Sequence, residues 1–200
     1  LFENIPGGPA AHLAELSYDD DPAGFLDAVL AVMKEFHPHT YDRVDLATFA
    51  LHDDKALMQG AIRPVVRTSY AVTDSSTPVI AIGDLRVTLD PVTGAGANLG
   101  SYGAAVLADH IATHTGDFGV DFAERYEQAV RRRTVATVGF NDLILAPPEY
   151  FLGLVMAMAS NRAMCDEFTE GFANPEHLWF DIVKDAATAE AFAASHSPAG

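Results

Sequence analysis

Apolar residues recur with the spacing of α-helices along much of the chain, and local signals mark where the first helix begins. Its apolar stripe consists of Phe25, Leu26, Val29, Leu30 and Met33. Asp21 is predicted to be its N-cap and Pro22 its first residue, because an aspartate can accept from free backbone N–H groups and proline needs no acceptor there. Pro38 is predicted to end it, since proline cannot continue a helix.

Residues 61–82 follow a different pattern, which predicts strands. Residues 61–72 are rich in β-branched and aromatic side chains, and residues 78–82 form a short, wholly apolar run. The polar residues 73–77 between them favour a turn. A strand without polar alternation is typical of one that is buried on both faces, as in a layered α/β domain. We therefore predict a buried strand at residues 78–82.

The rest of the chain is predicted to be mainly helical. A long helix at about residues 97–114 is followed by a second one, which begins with Asp121 as its cap and is stopped near residue 145 by Pro147 and Pro148. Further helices are predicted over the segments 149–168, 175–183 and 186–194. Together with the strands, this pattern predicts the fold class α/β (α+β).

The charge of the chain argues against nucleic acid as a partner. There are 28 acidic and 12 basic residues and a formal net charge of −16, whereas phosphate binding needs concentrated lysine and arginine. The basic run Arg131-Arg132-Arg133 lies in a helical pattern and is expected to be a solvated or ion-paired surface. No apolar run approaches the roughly 20 residues that cross a bilayer, so no membrane association is expected.

Cysteine and histidine usage argues against disulfides and metal. Cys165 is the only cysteine, so an intrachain disulfide cannot form and a reducing cytoplasm is the expected location. His37, His39 and His52 have no further ligands at metal-site spacing, so no metal site is predicted. The chain opens at Leu1 with apolar residues typical of a strand and without methionine, which we interpret as a cut from a longer protein.

Residues 79–110 combine a predicted strand, a Gly-Asp pair, a glycine-rich turn and a helix. Gly83 allows the backbone to approach a ligand closely. Asp84 would place a carboxylate at the carboxyl end of the strand, where such groups accept hydrogen bonds from ribose or ribityl hydroxyls. Gly94 and Gly96 would uncover backbone N–H groups at the start of the following helix, which favours a negative or electron-rich ligand group.

Two other interpretations of this glycine-rich turn compete. Gly94-Ala95-Gly96 can be only a loop that begins a helix, because an isolated glycine pair is weak evidence for a ligand site. A Rossmann dinucleotide fingerprint fails on context, since Gly100 comes one residue late and no second strand ending in an acidic residue follows. On the residues alone, the first interpretation stays open.

Three short motifs together resemble the second FAD-binding motif of flavoprotein monooxygenases: Gly83-Asp84, Asp90-Pro91-Val92 and Gly94-x-Gly96-Ala97-Asn98. The flanking segments are similar to the oxygenase component of two-component styrene and indole monooxygenases: residues 2–8, 18–22, 60–67 and 166–169. The resemblance covers nearly all of the chain. One departure is Ala95, where that group often carries glutamine, so a side-chain contact would be lost there while the backbone role remains.

The resemblance implies a fold and a division of the chain. The expected fold is part of a hydroxybenzoate-hydroxylase-like FAD-binding fold, without its N-terminal dinucleotide-binding half. Residues 1–76 would belong to a partial substrate-binding domain, residues 77–115 to the C-terminal part of the FAD-binding domain, and residues 116–200 to a C-terminal helical segment. Such a piece is expected to be inactive by itself.

The resemblance also implies FAD as the cofactor and gives roles to the motif residues. Asp84 would bind the ribose or ribityl part of FAD. Asp90 and Pro91 would lie along the isoalloxazine ring, with Pro91 in the catalytic position on the face where oxygen reacts. Residues 94–98 would place backbone N–H groups near the N1–C2=O edge. The expected cofactor-binding residues are Gly83, Asp84, Asp90, Pro91, Gly94, Gly96, Ala97 and Asn98.

The reaction implied by the resemblance starts from reduced FAD, which a separate NADH-dependent flavin reductase would supply. Reduced FAD and oxygen would give a C4a-hydroperoxide, which epoxidises or hydroxylates a small aromatic alkene or indole. One alternative is another flavoenzyme with the same Gly-Asp motif, such as an aromatic hydroxylase or a halogenase. A second alternative is a non-catalytic binding module. A homodimer is also compatible with the resemblance.

Overall fold

Helices account for most of the secondary structure, and only short strands interrupt them. A computed structural model of the protein describes residues 7–53, 55–57, 60 and 62–197. The chain divides into two units, Leu1–Ala61 and Ile62–Gly200. The mixture of helices with a few antiparallel strands confirms the α+β class. The assignment of substrate-binding and FAD-binding parts stays a prediction.

Among its described residues, the first unit contains the 3₁₀ helix Ala11–Glu15 and the α-helices α1 (Pro22–Phe36) and α2 (Pro38–Tyr41). The predicted start of α1 is confirmed, because the Gly24 N–H donates to the Asp21 carboxylate at 3.0 Å and the helix begins at Pro22. Phe25 is buried and contacts the Tyr18 ring edge-on, with 5.9 Å between the ring centroids. The strand predicted at the first residues lies outside the described part of the chain.

Two antiparallel strand pairs lie near the start of the second unit. The strands are β1 (Val65–Val66), β2 (Tyr70–Val72), β3 (Pro78–Ile80) and β4 (Val87–Thr88). β1 pairs with β4, and β2 pairs with β3. The predicted turn between β2 and β3 is confirmed, since the Thr73 N–H donates to the Thr77 carbonyl at 3.0 Å and closes a hairpin.

The strand predicted over residues 78–82 is shorter and more exposed than expected. β3 ends at Ile80, and Val79 is 54% exposed. Within the described residues β3 has one pairing strand, β2, so it is not the central strand of a layered sheet. The prediction of burial on both faces is therefore wrong for this structure, because apolar composition alone does not supply a second covering layer.

Helices make up the remainder of the second unit. They are α3 (Gly96–Thr113), α4 (Val120–Leu145), α5 (Glu149–Met158), α6 (Arg162–Glu170), α7 (Pro175–His177) with the π-helix Leu178–Val183, and α8 (Ala186–Ser195). The predictions for α3, α4 and α8 are confirmed. Asp121 is not the cap of α4, however, because Gly119 occupies that position and Asp121 lies in the first helical turn.

The single helix predicted over residues 149–168 is in fact two helices. Asn161 caps the second of them, α6, because its Oδ1 atom accepts from the Met164 N–H at 3.1 Å. The Asn161 Nδ2 atom donates to the His196 carbonyl at 2.9 Å and ties this break to the end of α8. The helix predicted over residues 175–183 also changes, from α to π geometry, at Leu178.

The main hydrophobic core lies among α4, α5, α6, the π-helix and α8. Its buried members are Phe140, Leu143, Phe151, Leu154, Met158, Met164, Leu178, Ile182, Val183, Ala189 and Phe192. Packing is close beside this core, where a Cβ atom on Gly139 would lie 2.5 Å from the Trp179 indole. None of the described helices combines the length and apolar content that a membrane span requires.

Candidate functional site

The Gly-Asp pair forms a turn that leaves its carboxylate exposed. Gly83 has a φ of +57°, a left-handed conformation that glycine adopts without a Cβ clash, and it begins a short 3₁₀ helix. The Asp84 carbonyl accepts from the Thr88 hydroxyl at 3.0 Å and from the Arg67 guanidinium at 3.4 Å. No described residue donates a hydrogen bond to the Asp84 carboxylate. The backbone is therefore fixed while the carboxylate is available to a ligand.

Asp90 and Pro91 belong to a second turn, which precedes α3. The Asp90 carboxylate accepts from the Val92 N–H at 3.0 Å and so caps the 3₁₀ helix Pro91–Thr93. Gly94 follows with a φ of +63° and turns the chain toward α3. Asp90 is half-buried and Pro91 is exposed. Asp90 thus holds the turn, and the turn presents the Pro91 ring on its surface.

The N-terminal end of α3 is open to a ligand. The N-cap residue Ala95 has no side chain that could cap the helix, and the first helical hydrogen bond runs from the Leu99 N–H to the Ala95 carbonyl at 2.9 Å. The N–H groups of Gly96, Ala97 and Asn98 have no acceptor among the described residues. A Cβ atom placed on Gly96 would meet no atom within 4 Å. The start of α3 therefore combines free N–H donors, the positive end of the helix dipole and open space.

The structure brings the Gly-Asp turn against α3. A Cβ atom on Gly100, in the second turn of α3, would lie 3.3 Å from the Gly83 Cα atom. This is closer than ordinary packing, so the two backbones approach each other directly. The predicted residues at positions 83–98 thus belong to two neighbouring turns and the first turn of one helix. Gly100 itself was not among the residues predicted for the site.

Asn141 supports the second turn and was also not predicted. The Thr93 hydroxyl donates to the Asn141 Oδ1 atom at 2.8 Å. Asn141 is fully buried in α4, next to buried Phe140 and close to buried Leu143. A polar residue at a core position of an apolar helix face is the sequence signal that could have identified it, because buried polar groups require partners.

A cavity of 370 Å³ lies beside the start of α3. Asn98 and Thr93 line it on one side, and Arg133 and Phe140 of α4 line it on another. The Arg133 guanidinium is paired with the Glu176 carboxylate at 3.3 Å. This ion pair confirms the expectation of an ion-paired helix surface for the last residue of the arginine run.

The segment before β2 is also fixed to α4. The Ser69 N–H donates to the Glu127 carboxylate at 2.8 Å, and the Ser69 hydroxyl donates to the same oxygen. Ser69 is fully buried, so this contact lies inside the unit. α4 therefore supports both the strands and, through Asn141, the turn before α3.

Titratable side chains also cluster among α6, α7, the π-helix and the C-terminal end of α8. His177 contacts the Asp181 carboxylate at 3.0 Å and the Glu167 carboxylate at 3.2 Å. Glu167 also contacts His196 at 3.1 Å. The hydrogen bond with Asp181, followed by that with Glu167, raises the pKa of His177 above its ordinary value of 6.5, against an opposing effect of burial. Among the described residues, no group of three or more His, Cys, Asp or Glu side chains could hold a metal ion.

Known proteins are similar in sequence to most of this chain. No protein-family model matches the chain. Styrene monooxygenase StyA from Pseudomonas fluorescens and styrene monooxygenase StyA from Pseudomonas sp are each 34% identical to it over 185 residues. Each alignment covers 90% of this chain and 44% of the relative, so the chain spans less than half the length of the curated relatives it matches. The resemblance to styrene monooxygenases that the motifs predicted is thus confirmed along nine tenths of this chain.

Proposed function

We propose that the natural protein containing this sequence is an FAD-dependent monooxygenase of the styrene monooxygenase type, and that residues 83–98 hold part of its FAD. The observation that carries the proposal is the open N-terminal end of α3 within a segment that matches the FAD motif. The 34% identity to two styrene monooxygenases supports the same conclusion. Neither the hydroxylase nor the halogenase alternative has a structural observation in its favour.

The donors at the start of α3 fit the flavin ring. Reduced flavin is anionic at N1, and the N–H groups of Gly96, Ala97 and Asn98 supply donors at the positive end of an 18-residue helix. Helix dipoles stabilise a nearby anion by about 0.3–2 kcal/mol. The missing side chain of Gly96 leaves space for a ring edge to come close to the backbone.

The two turns fit other parts of FAD. The exposed Asp84 carboxylate has no competing donor in the described part of the chain, so it can accept from ribityl or ribose hydroxyls. Asp90 acts indirectly, because its hydrogen bond to the Val92 N–H keeps the turn in shape. Pro91 offers a rigid apolar ring on the exposed surface of that turn, suited to contact with the face of the isoalloxazine.

In this proposal, bound reduced FAD supplies the activation of oxygen, and this chain binds and orients the flavin. The reduced FAD comes from a separate NADH-dependent flavin reductase. The substrate is a small aromatic alkene or indole, which is epoxidised or hydroxylated. Water must be kept from the flavin during the reaction, and the apolar Pro91 ring contributes to that on its side of the isoalloxazine.

The first test measures binding of reduced FAD by the natural protein in an anaerobic titration. Asp84→Asn is expected to weaken binding by about tenfold, because the flavin hydroxyls would then donate to a neutral amide oxygen and not to a charged carboxylate. Its melting temperature should stay unchanged, since no described residue depends on that carboxylate. Asp109→Asn, an exposed change at the far end of α3, is the matched control and should bind like the wild type.

The second test supplies chemically reduced FAD, oxygen and styrene or indole without any reductase. Formation of the oxygenated product is expected. A folded protein that binds no flavin would overturn the proposal and support the non-catalytic binding module. Flavin binding followed by halogenation or ring hydroxylation, with no alkene product, would overturn the styrene monooxygenase type and support the other flavoenzymes.

A further inference from the structure

We infer that Asn141 of α4 is a positioning residue for the proposed FAD site, which it controls by holding Thr93 in the turn before α3. The inference rests on the proposed function, because the turn matters in this way only when residues 90–98 bind flavin. Asn141 belongs to none of the motifs that resemble the monooxygenases. It acts through Thr93 and does not itself reach the flavin.

The contact between the two residues is short and buried. The Thr93 hydroxyl donates to the Asn141 Oδ1 atom at 2.8 Å, and Asn141 is 0% exposed. The other amide atom, Nδ2, is buried and has no hydrogen-bond partner in the part of the chain that the structure describes. A buried donor without a partner destabilises a fold, so an apolar residue at position 141 would suit stability better. Stability therefore does not explain this asparagine, whereas its bond to the turn does.

The position of Thr93 makes its bond to Asn141 important for the orientation of the turn before α3. On one side of Thr93, Asp90 fixes the Val92 N–H at 3.0 Å. On the other side, Gly94 turns the chain into the helix with a φ of +63°. The hydrogen bond from the Thr93 hydroxyl to Asn141 attaches this turn to α4. Because α4 is a long helix with buried residues along its length, it gives the turn a rigid support.

Loss of this attachment would allow the turn and the first N–H groups of α3 to shift together. Backbone donors have no rotamers with which to recover a lost alignment, so a small shift of the turn weakens every hydrogen bond that they make to a ligand. Positioning of reacting groups is sensitive to displacements of about 1 Å. The expected result is weaker and looser flavin binding, without loss of the fold.

Four variants of the natural protein test the inference. Asn141→Leu removes the acceptor for Thr93 and also the unpaired donor, so we expect reduced FAD to bind about tenfold more weakly at an unchanged or higher melting temperature. Thr93→Val should weaken FAD equally but lower the melting temperature, because Asn141 then has no partner at all. Thr93→Ser keeps the hydroxyl and should restore wild-type binding. In the double variant Thr93→Val, Asn141→Leu, the loss of affinity should be no greater than in either single variant.

Fluorescence anisotropy of bound FAD gives a readout that a merely structural role would not change. We expect lower anisotropy, meaning a more mobile flavin, in Asn141→Leu and Thr93→Val but not in Thr93→Ser. Gln128→Leu is the matched control, since it also replaces an amide side chain of α4 by leucine, but at an exposed position that does not line the cavity beside α3. It should leave both the FAD affinity and the anisotropy unchanged.

The outcomes separate this inference from the proposed function. If the wild type binds no FAD, the proposed function fails and the inference fails with it. If the wild type binds FAD and Asn141→Leu binds it equally tightly with equal anisotropy, the inference alone is overturned. Additive losses in the double variant would also overturn it, because they would show two independent effects. Should Asn141→Leu not fold, the comparison of Thr93→Ser with Thr93→Val decides the same question.

Discussion

The guanidinium of Arg86 is buried beside Thr134, whose hydroxyl accepts from the Arg86 Nη1 atom at 2.7 Å. Arg86 is only 5% exposed, and its Nε atom has no hydrogen-bond partner among the described residues. The Thr134 hydroxyl in turn donates to the Val130 carbonyl at 2.8 Å. A buried cation with few hydrogen-bond partners depends strongly on each of them. The Thr134 hydroxyl is therefore important for stabilising the buried Arg86 guanidinium.

Thr134→Val is therefore expected to destabilise the fold by about 1–3 kcal/mol, because it leaves a second nitrogen of a buried guanidinium without a partner. Urea unfolding followed by circular dichroism measures the change. Thr137→Val, three residues further along α4, is the control and should cost less than about 0.5 kcal/mol. Equal losses of stability in the two variants would show that the hydrogen bond with Arg86 does not account for the effect of Thr134→Val.

The close approach of Gly83 and Gly100 leads to a prediction about flavin affinity. Gly100→Ala would place a Cβ atom 3.3 Å from the Gly83 Cα atom, so the Gly-Asp turn must move by a few tenths of an ångström. The helix-forming tendency of alanine, about 1 kcal/mol better than glycine, should offset the strain and leave overall stability nearly unchanged. Binding of reduced FAD should weaken by about tenfold, as an anaerobic titration can measure. Unchanged affinity would indicate that the turn tolerates the shift.

Two glycine-to-alanine changes in helices should have opposite effects on stability. At Gly139 the new Cβ atom would lie 2.5 Å from the Trp179 indole, so the ring must be displaced from its packed position. We expect Gly139→Ala to destabilise the fold by about 1–3 kcal/mol. Gly153 is exposed in α5, and a Cβ atom there meets no atom within 4 Å, so Gly153→Ala should stabilise by about 0.5–1 kcal/mol. Thermal unfolding of both variants tests the pair, and two changes of the same sign would contradict it.

The cluster of titratable side chains around His177 predicts a pH dependence of stability. The pKa of His177 is raised in the folded state, chiefly by its hydrogen bond with Asp181. A raised pKa in the folded state stabilises the fold fully below the unfolded pKa, and this stabilisation is lost as the pH rises through the folded pKa. Through this group, the melting temperature should therefore fall as the pH rises above the ordinary histidine pKa of 6.5. His177→Gln should make the melting temperature less dependent on pH over that range. An unchanged dependence would show that other groups cause it.

Local signals in the sequence were enough to predict several elements. Asp21 and Pro22 define the start of α1 by contacts within one helical turn. The turn at residues 73–77 and the helices α3, α4 and α8 likewise depend on residues close together in the chain. The motif around Gly94 was predicted to begin a helix with free N–H groups, and the structure has that arrangement.

Other features depend on contacts between residues far apart in the sequence. The break between α5 and α6 is stabilised when Asn161 bonds to the His196 carbonyl, 35 residues further on. Gly100 and Asn141 gain their importance from Gly83 and Thr93, which no spacing rule connects to them. The exposure of β3 likewise depends on which segments cover it, and the apolar run at 78–82 carries no information about that.

The π-helix Leu178–Val183 places one extra residue in the chain between α7 and α8. A π-helix places one more residue in each turn than an α-helix, because its hydrogen bonds join residues five apart rather than four. Leu178 and Val183 are both buried and five residues apart. An ordinary α-helical turn that is one residue shorter would direct the same two side chains into the core. Insertions and deletions among relatives are therefore expected to collect at this turn, which can absorb a change of one residue.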